Sequence, residues 1–341
     1  MKSPLRKRLP RELKSEFGKY LVVFIMMAIT IGFVSGFLVA DGSMLRAYDD
    51  SFQKYNIEDG YFQTKKKLTP AQKEDIEKSD VKVYENFYIE QKLTNGSTIR
   101  FFKNRKEVDK VCLMKGKMPK KSGEIAVDRM YADNNELKVG DTVKSRKKTF
   151  RITGLVALSD YSALFQNNND TMFDAVKFGV AIVTDKDFEA LNQVKVQYNY
   201  AWIYDKKPAT EKKEKKMAED LMEDMADVVT IESFVPQYQN QSIHFTGDDM
   251  GSDRAMIVML LYIVMAILAF VFGITISNTI RKEAGVIGTL RASGYTRREL
   301  ILHYMALPVV ITLIGALVGN ILGYTVLKPV SYTHLTLPTI R

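Results

Sequence analysis

Cysteine occurs once in the 341 residues, at position 112, and histidine only three times. A lone cysteine excludes any internal disulfide, and nothing in the chain marks an oxidative folding route. Cys112 reads as a small buried apolar residue. His244, His303 and His334 stand too far apart for an HExxH or paired Cys/His zinc pattern, so no metal is implied. A GxxxxGK[ST] phosphate loop is also absent, which rules out ATP binding by that route. The carboxylates are many, but none is paired in a way that separates a general acid from a general base. No catalytic residue and no cofactor are therefore assigned, and the sequons at Asn95 and Asn169 read as ordinary loop residues.

What the chain does have is positive charge and long apolar runs. Lysine and arginine number 49 against 40 acidic residues, a formal net charge of +9. Much of the excess flanks apolar segments, so it points to membrane topology and not to nucleic acid. Three uncharged runs approach or exceed the roughly 20 residues needed to cross a bilayer: YLVVFIMMAITIGFVSGFLVA (20–40), AMIVMLLYIVMAILAFVFGITIS (255–277) and MALPVVITLIGALVGNILGYTVL (305–327). The first is longer than the apolar core of a cleaved signal peptide, about 7 to 15 residues, and is read as a retained span. Lys2, Arg6, Lys7, Arg8, Arg11, Lys14 and Lys19 precede it, which puts residues 1–19 in the cytoplasm. Arg281, Lys282, Arg291, Arg297 and Arg298 put the loop after the second span on the same side, and residues 41–254 then lie outside.

That outer region reads as a folded mixed α+β domain. LTPAQKEDIEKSD offers Thr69 as N-cap, Pro70 at the first helical position and Gln72 for a capping box. VKVYENFYIEQKL and STIRFFKNR are expected strands about an Asn95-Gly96 hairpin. GEIAVDRMYADNNELKVGDTVKSRKKTFRITGLVAL predicts strand, short helix, a turn at Gly140-Asp141 and two more strands, and FGVAIVTDKDFEALN a strand running into a helix. Met217, Leu221 and Met225 form one apolar stripe on an otherwise charged helix, a packing face. The fold class is thus an α+β membrane protein with three predicted transmembrane helices and a large domain between the first and second.

Between the second and third spans stands RKEAGVIGTLRASGYTRREL, within the segment 278–304. A helix can continue from Thr279, with Val286, Ile287 and Leu290 as an apolar strip and Glu283 and Arg291 on a neighbouring face. Gly294 suits the left-handed position that closes it. Thr296 and Glu299 then form a capping box for a new helix that runs into the third span, with Tyr295 and Leu300 placed as a staple. The expected product is a short, rigid, basic helical elbow; a plain loop satisfying topology is the competing reading.

EAGVIGTLRASGYTRREL in this span-elbow-span setting resembles the coupling region of the FtsX-like permeases, the MacB-type subunits of ABC transporters, whose pattern runs roughly E-x-G-x-L-R-A-x-G-x-x-R-R-x-[IL]. Glu283, the run Ile287 to Ala292, Gly294, Arg297, Arg298 and Leu300 carry it, with three extra residues between Glu283 and the Leu290-Arg291 pair. KGKMPKKSGEIAVDRMYADNNELKVGD and FRITGLVAL are similar to the family's extracytoplasmic core domain. The resemblance implies a bacterial inner-membrane permease subunit, not itself an enzyme, whose elbow residues Glu283, Val286, Ile287, Leu290, Arg291, Gly294, Arg297 and Arg298 dock a separate ATPase subunit. It also implies a second permease copy, or the second half of a longer chain. Exported lipid, lipoprotein or peptide is the implied cargo; a non-transporting regulator of cell-wall hydrolases is the alternative, and a membrane-anchored enzyme or receptor leaves the elbow unexplained. Gly315, Gly319 and Gly323, four apart, allow another helix to approach closely, either the protein's own second span or a second copy, and Asn320 can add a hydrogen bond. SYTHLTLPTI, within residues 328–341, is read as non-native sequence, and the chain as the N-terminal part of a longer permease.

Overall fold

The computed structural model describes residues 7–145, 148–191 and 193–327; the tail 328–341, with His334, lies outside the described residues. In chain order, α1 (Leu9–Ser15) leads to α2 (Phe17–Tyr55), followed by β1 (Gly60–Thr64), α3 (Pro70–Glu77), β2 (Val81–Glu85), β3 (Tyr88–Lys92), β4 (Thr98–Lys103) and β5 (Val111–Gly116). Next come β6 (Glu124–Asp128), α4 (Arg129–Asn134), β7 (Thr142–Lys144), β8 (Thr149–Leu158), β9 (Phe178–Val183), α5 (Asp185–Ala190), β10 (Val196–Tyr204), α6 (Glu211–Ala226) and β11 (Ile231–Pro236). α7 (Gln241–Lys282), α8 (Ala284–Ala292) and α9 (Arg297–Leu322) follow, with a π turn over Gly323–Leu327.

The chain divides into two units, one made of the described residues up to Leu45 and from Met250, the other of Arg46–Asp249. α2, α7 and α9 carry the apolar stretches long enough to cross a membrane. At 39 and 42 residues, α2 and α7 continue well beyond the apolar runs at 20–40 and 255–277, because helical backbone pairing does not stop where apolar composition stops. What ends α2 is Asn56, whose φ of 51° is left-handed. Ile57 N then donates to Phe52 O at 3.0 Å, the bond that closes a helix through an αL asparagine.

The Arg46–Asp249 unit is built on an 11-stranded mixed sheet, ordered β11-β1-β10-β3-β4-β9-β6-β8-β5, with β2 on β10 and β7 on β8. β3 and β4 are the hairpin expected at Asn95-Gly96, where Gly96 takes a φ of 88°. β4 with β9 and β6 with β8 are the parallel pairs. Every residue of β9 is buried, as a continuous apolar run covered on both faces requires. One apolar cluster gathers Phe101, Ile125, Phe150 and Ile182. The other gathers Phe62, Tyr200 and Trp202 beneath Leu221 and Met225 of the α6 stripe. Side-chain caps fix the short helices: Thr69 and Gln72 make the reciprocal box on α3, Asp128 caps α4 and Thr184 caps α5. Cys112, on β5, is half-buried, not buried as its type suggested.

A buried ionic cluster lies in the same unit. Arg105 grips Asp160 with two bonds of 2.7 Å and reaches Asn86 Oδ1 at 3.3 Å. Asp109, fully buried, accepts from Glu58 N at 2.8 Å and Asn86 Nδ2 at 3.2 Å. Two carboxyls thus meet one guanidinium, Asp160 at 2.7 Å and Asp109 at 3.9 Å, and the buried Glu58 carboxyl belongs to the same cluster. Burial, reinforced by the Asp160 charge, pushes the Asp109 carboxyl up to about 7, and burial together with Asp109 holds Glu58 well above the ordinary carboxylate range.

Candidate functional site

The elbow forms by two interruptions of helical geometry. Glu283, at φ −102° and ψ 17°, breaks α7 from α8. The ladder still spans the break, since Glu283 N donates to Thr279 O at 3.0 Å and Ile287 N to Glu283 O at 2.9 Å. The join is therefore a kink, not a free loop. At the other end Gly294 takes a φ of 94°. Its N–H donates to Arg291 O and that of Tyr295 to Leu290 O, both at 3.1 Å, the paired bonds of a Schellman closure. Nothing stands near the position a Gly294 Cβ would take, so the demand for glycine is conformational. Thr296 N then donates to Glu299 Oε2 at 2.9 Å, while Glu299 N donates to Thr296 Oγ1 at 3.3 Å. That reciprocal box starts α9, and Leu300 is buried just after it.

What the elbow presents, along α8 and the first turn of α9, is apolar surface and charge. None of the α8 residues is buried; Val286 is 42% exposed, Ile287 and Leu290 are half-buried, and Arg291, Arg297 and Arg298 are exposed. Those three arginines form no ion pair among the described residues.

Glu283 stands apart from them. Its Oε2 accepts from Tyr304 OH at 2.6 Å and pairs with Arg8 Nη2 at 2.7 Å. Arg8 Nε also meets Glu12 Oε1 at 2.7 Å, which lies 3.1 Å from Nε2 of the buried His303. The start of the chain, the kink and the first turns of α9 are thereby pinned together. Partly exposed pairs of this kind contribute about 1 kcal/mol or less each, but several of them acting on one kink restrict its direction. Glu12 and Tyr304 carry no signal in the sequence, where Arg8 reads only as a topology charge and His303 only as too isolated for a metal pattern. Partners separated by almost the whole chain leave no periodic signal.

The glycine face of α9 meets α2, not the second span. A Cβ at Gly319 would fall 2.8 Å from Ala28 O and one at Gly323 2.6 Å from Gly32 O, whereas at Gly315 it would meet Met27 and Phe24 at an ordinary 3.5 Å. Gly32 and Gly36 on α2 are buried in turn, so small residues face small residues and the backbones approach closely. Asn320, exposed, donates to Ala316 O of its own helix at 3.0 Å.

The family description "FtsX-like permease C-terminal" matches residues 258–340, which take in the membrane end of α7, the elbow and α9. Among curated proteins none matches this chain. Solved structures similar to it include the periplasmic region of MacB from Actinobacillus actinomycetemcomitans, at 14% identity and a TM-score of 0.28 over 51% of this chain and 87% of that one. The extracellular domain of the noncanonic ABC-type transporter YknZ from Gram-positive bacteria is another, at 12% identity and a TM-score of 0.27 over 52% of this chain and 97% of that one.

Proposed function

The chain belongs to the FtsX-like permeases through residues 258–340, and from that premise we propose that it is the membrane subunit of an ABC transporter, driven by a separate ATPase that docks on the elbow. The observation that carries this is the pairing of exposed apolar surface with a stiff frame. Val286, Ile287 and Leu290 offer a small helical face, ringed by Arg291, Arg297 and Arg298, while the kink latch and the Gly294 closure fix its direction. A helix in a groove needs such anchors, and acidic residues around the groove complement the arginines. Glu283 acts within this scheme by aiming the elbow and does not touch the ATPase.

The proposal puts the N-terminus and the elbow in the cytoplasm and residues 41–254 outside, with movement of the elbow passed along α7 and α9. A second permease copy meets α7, whose apolar stretch is only 11% buried, because α2 occupies the glycine face of α9. The cargo is a lipid, lipoprotein or peptide exported or removed at the outer side.

Leu290→Asp tests the docking surface. An unpaired charge in an apolar contact costs several kcal/mol, and about 1.4 kcal/mol suffices for a tenfold loss. Co-expressed with the ATPase encoded beside it, the variant is expected to lose ATPase pull-down by at least about tenfold, with membrane insertion unchanged. Wild-type pull-down and wild-type ATP turnover in Leu290→Asp reduce the elbow to a topological loop.

A further inference from the structure

One face of β1, β10 and β11 turns Phe62, Tyr200 and Phe234 into the Trp202 cluster. Alternation puts Tyr61, Gln63, Asn199 and Ser233 on the opposite face, where Gln63 stands directly across from Asn199 on one side and from Ser233 on the other. That polar face floors a cavity of about 370 Å³, bounded also by Tyr88, Arg100 and the loop residues 166–169. The charges on its wall are already matched. Arg100 is taken by Glu90, Tyr161 and Gln166 O, Asp160 is gripped by Arg105, and burial above all holds Glu58 well above the ordinary carboxylate range, which favours its neutral form. What is left over is hydrogen-bonding capacity. Gln63 Nε2 donates to Tyr88 OH and to Asn199 Oδ1, both at 3.2 Å, so that Gln63 Oε1 remains an acceptor and the Asn199 amide nitrogen a donor. Tyr61 OH and Ser233 Oγ have no hydrogen-bond partner among the described residues. Glu58, only 2% exposed, lines the same cavity with its Oε2 unpartnered.

We propose that this cavity binds an uncharged sugar, its hydroxyls bridging Gln63 Oε1, Asn199 Nδ2, Ser233 Oγ and Tyr61 OH, with the buried Glu58 carboxyl as a further partner. A hydroxyl both donates and accepts, which suits a wall where acceptor and donor stand side by side. With no unpaired cation or carboxylate, the wall has nothing to hold a phosphate or a divalent metal ion. Its polar groups would be stranded beneath an acyl chain. An extended peptide is selected by free backbone groups at a sheet edge and by pockets for alternate side chains, whereas this floor is a sheet face whose backbone is committed to its ladders. The volume lies within the range of small-molecule sites, about 300–1,000 Å³. The assignment rests on the Arg46–Asp249 unit alone and not on the docking of an ATPase.

The test is saturation-transfer difference NMR of the full chain in lipid nanodiscs, since sugar-headed detergents would compete, with glucose, N-acetylglucosamine and triacetylchitotriose as probes. The wild type is expected to transfer saturation to at least one of them. Tyr61→Phe with Ser233→Ala removes two partner-free hydroxyls from the floor and is expected to weaken that binding about tenfold, as the loss of two neutral hydrogen bonds implies, with the thermal midpoint unchanged. Tyr84→Phe with Ser79→Ala removes the same two hydroxyls outside the cavity and is expected to leave binding at the wild-type level. Tighter binding of triacetylchitotriose than of N-acetylglucosamine identifies the end of a glycan as the source, and equal binding a free sugar. No transfer to any of the three sugars reduces the cavity to a water-filled space and overturns the proposal, as does equal loss in the two double variants. Transfer to N-acetyl-trialanine amide in place of the sugars overturns it in favour of a peptide site.

Discussion

Asp109→Asn turns the buried ionic cluster of the outer domain into a measurable pH dependence. Asp109 is fully buried and raised to about 7, whereas an unfolded aspartate titrates near 3.9. Between those values the folded domain keeps a proton that the unfolded chain has released. Stability therefore falls as pH rises through that window, by at most about 1.4 kcal/mol per pH unit for one proton, and is lost in full above the folded value. Asparagine cannot titrate. It also relieves Glu58, whose carboxyl is raised partly by the Asp109 charge, and so acts in the same direction. The variant starts at a disadvantage at acidic pH, because an amide nitrogen in place of Oδ2 leaves Asn86 Nδ2 without its acceptor at 3.2 Å, a cost of about 1–3 kcal/mol. As pH rises the gap should close or invert, by roughly 1–3 kcal/mol between about pH 5 and pH 7. Urea melts of residues 41–254, wild type and variant, measure it. A gap that stays flat, or widens as pH rises, refutes the view that Asp109 is a protonated member of the cluster.

Other consequences are equally direct. Gly319→Ala drives a methyl to within 2.8 Å of Ala28 O, whereas Gly315→Ala makes an ordinary 3.5 Å contact; the first should lower the thermal midpoint of the detergent-solubilised protein and the second leave it unchanged, and equal effects would mean that α2 is not the partner of that face. Gly294→Ala should destabilise the elbow by about 1–2 kcal/mol, the cost of a left-handed alanine, and weaken ATPase pull-down without changing membrane insertion, while Gly288→Ala should do neither. Single cysteines at Ser3, Thr171 and Ser293 in a Cys112→Ala background should react with an impermeant reagent in intact cells only at the exposed Thr171 position, and labelling at Ser293 refutes the topology.

How much of this was legible in the sequence depended on whether a residue's neighbours were near in the chain. α3, α4 and α9 carry their own punctuation in Thr69, Asp128 and Thr296, and the β3–β4 hairpin has Asn95-Gly96 at its turn. β10 has no such signal. Asn199, Tyr200, Ala201 and Trp202 are all buried, so VQYNYAWIY lacks the alternation that marks a half-exposed strand. It is nonetheless the centre of one half of the sheet, with β1 and β2 beside it. β1, β5 and β11 were also passed over, because short strands of mixed polarity show their character only once paired. The extension of α2 and α7 past their apolar runs was hidden for a related reason, since composition marks the membrane boundary and not the end of the helix.

The elbow divides along the same line. Its closure, its capping box and its apolar strip are local, each fixed by residues within about two turns, and all were readable from RKEAGVIGTLRASGYTRREL alone. The direction in which it points is not local. That depends on Arg8, Glu12, His303 and Tyr304 meeting around Glu283, contacts that span up to 291 positions. The three extra residues between Glu283 and Leu290 acquire a physical meaning here. With the Glu283 carboxylate committed to Arg8 and Tyr304 at the kink, the intervening residues give α8 a further part of a turn, and the elbow side chains left at the surface are Val286, Ile287 and Leu290 with the arginines. A carboxylate that resembles part of a docking motif is thus held at the kink of the elbow.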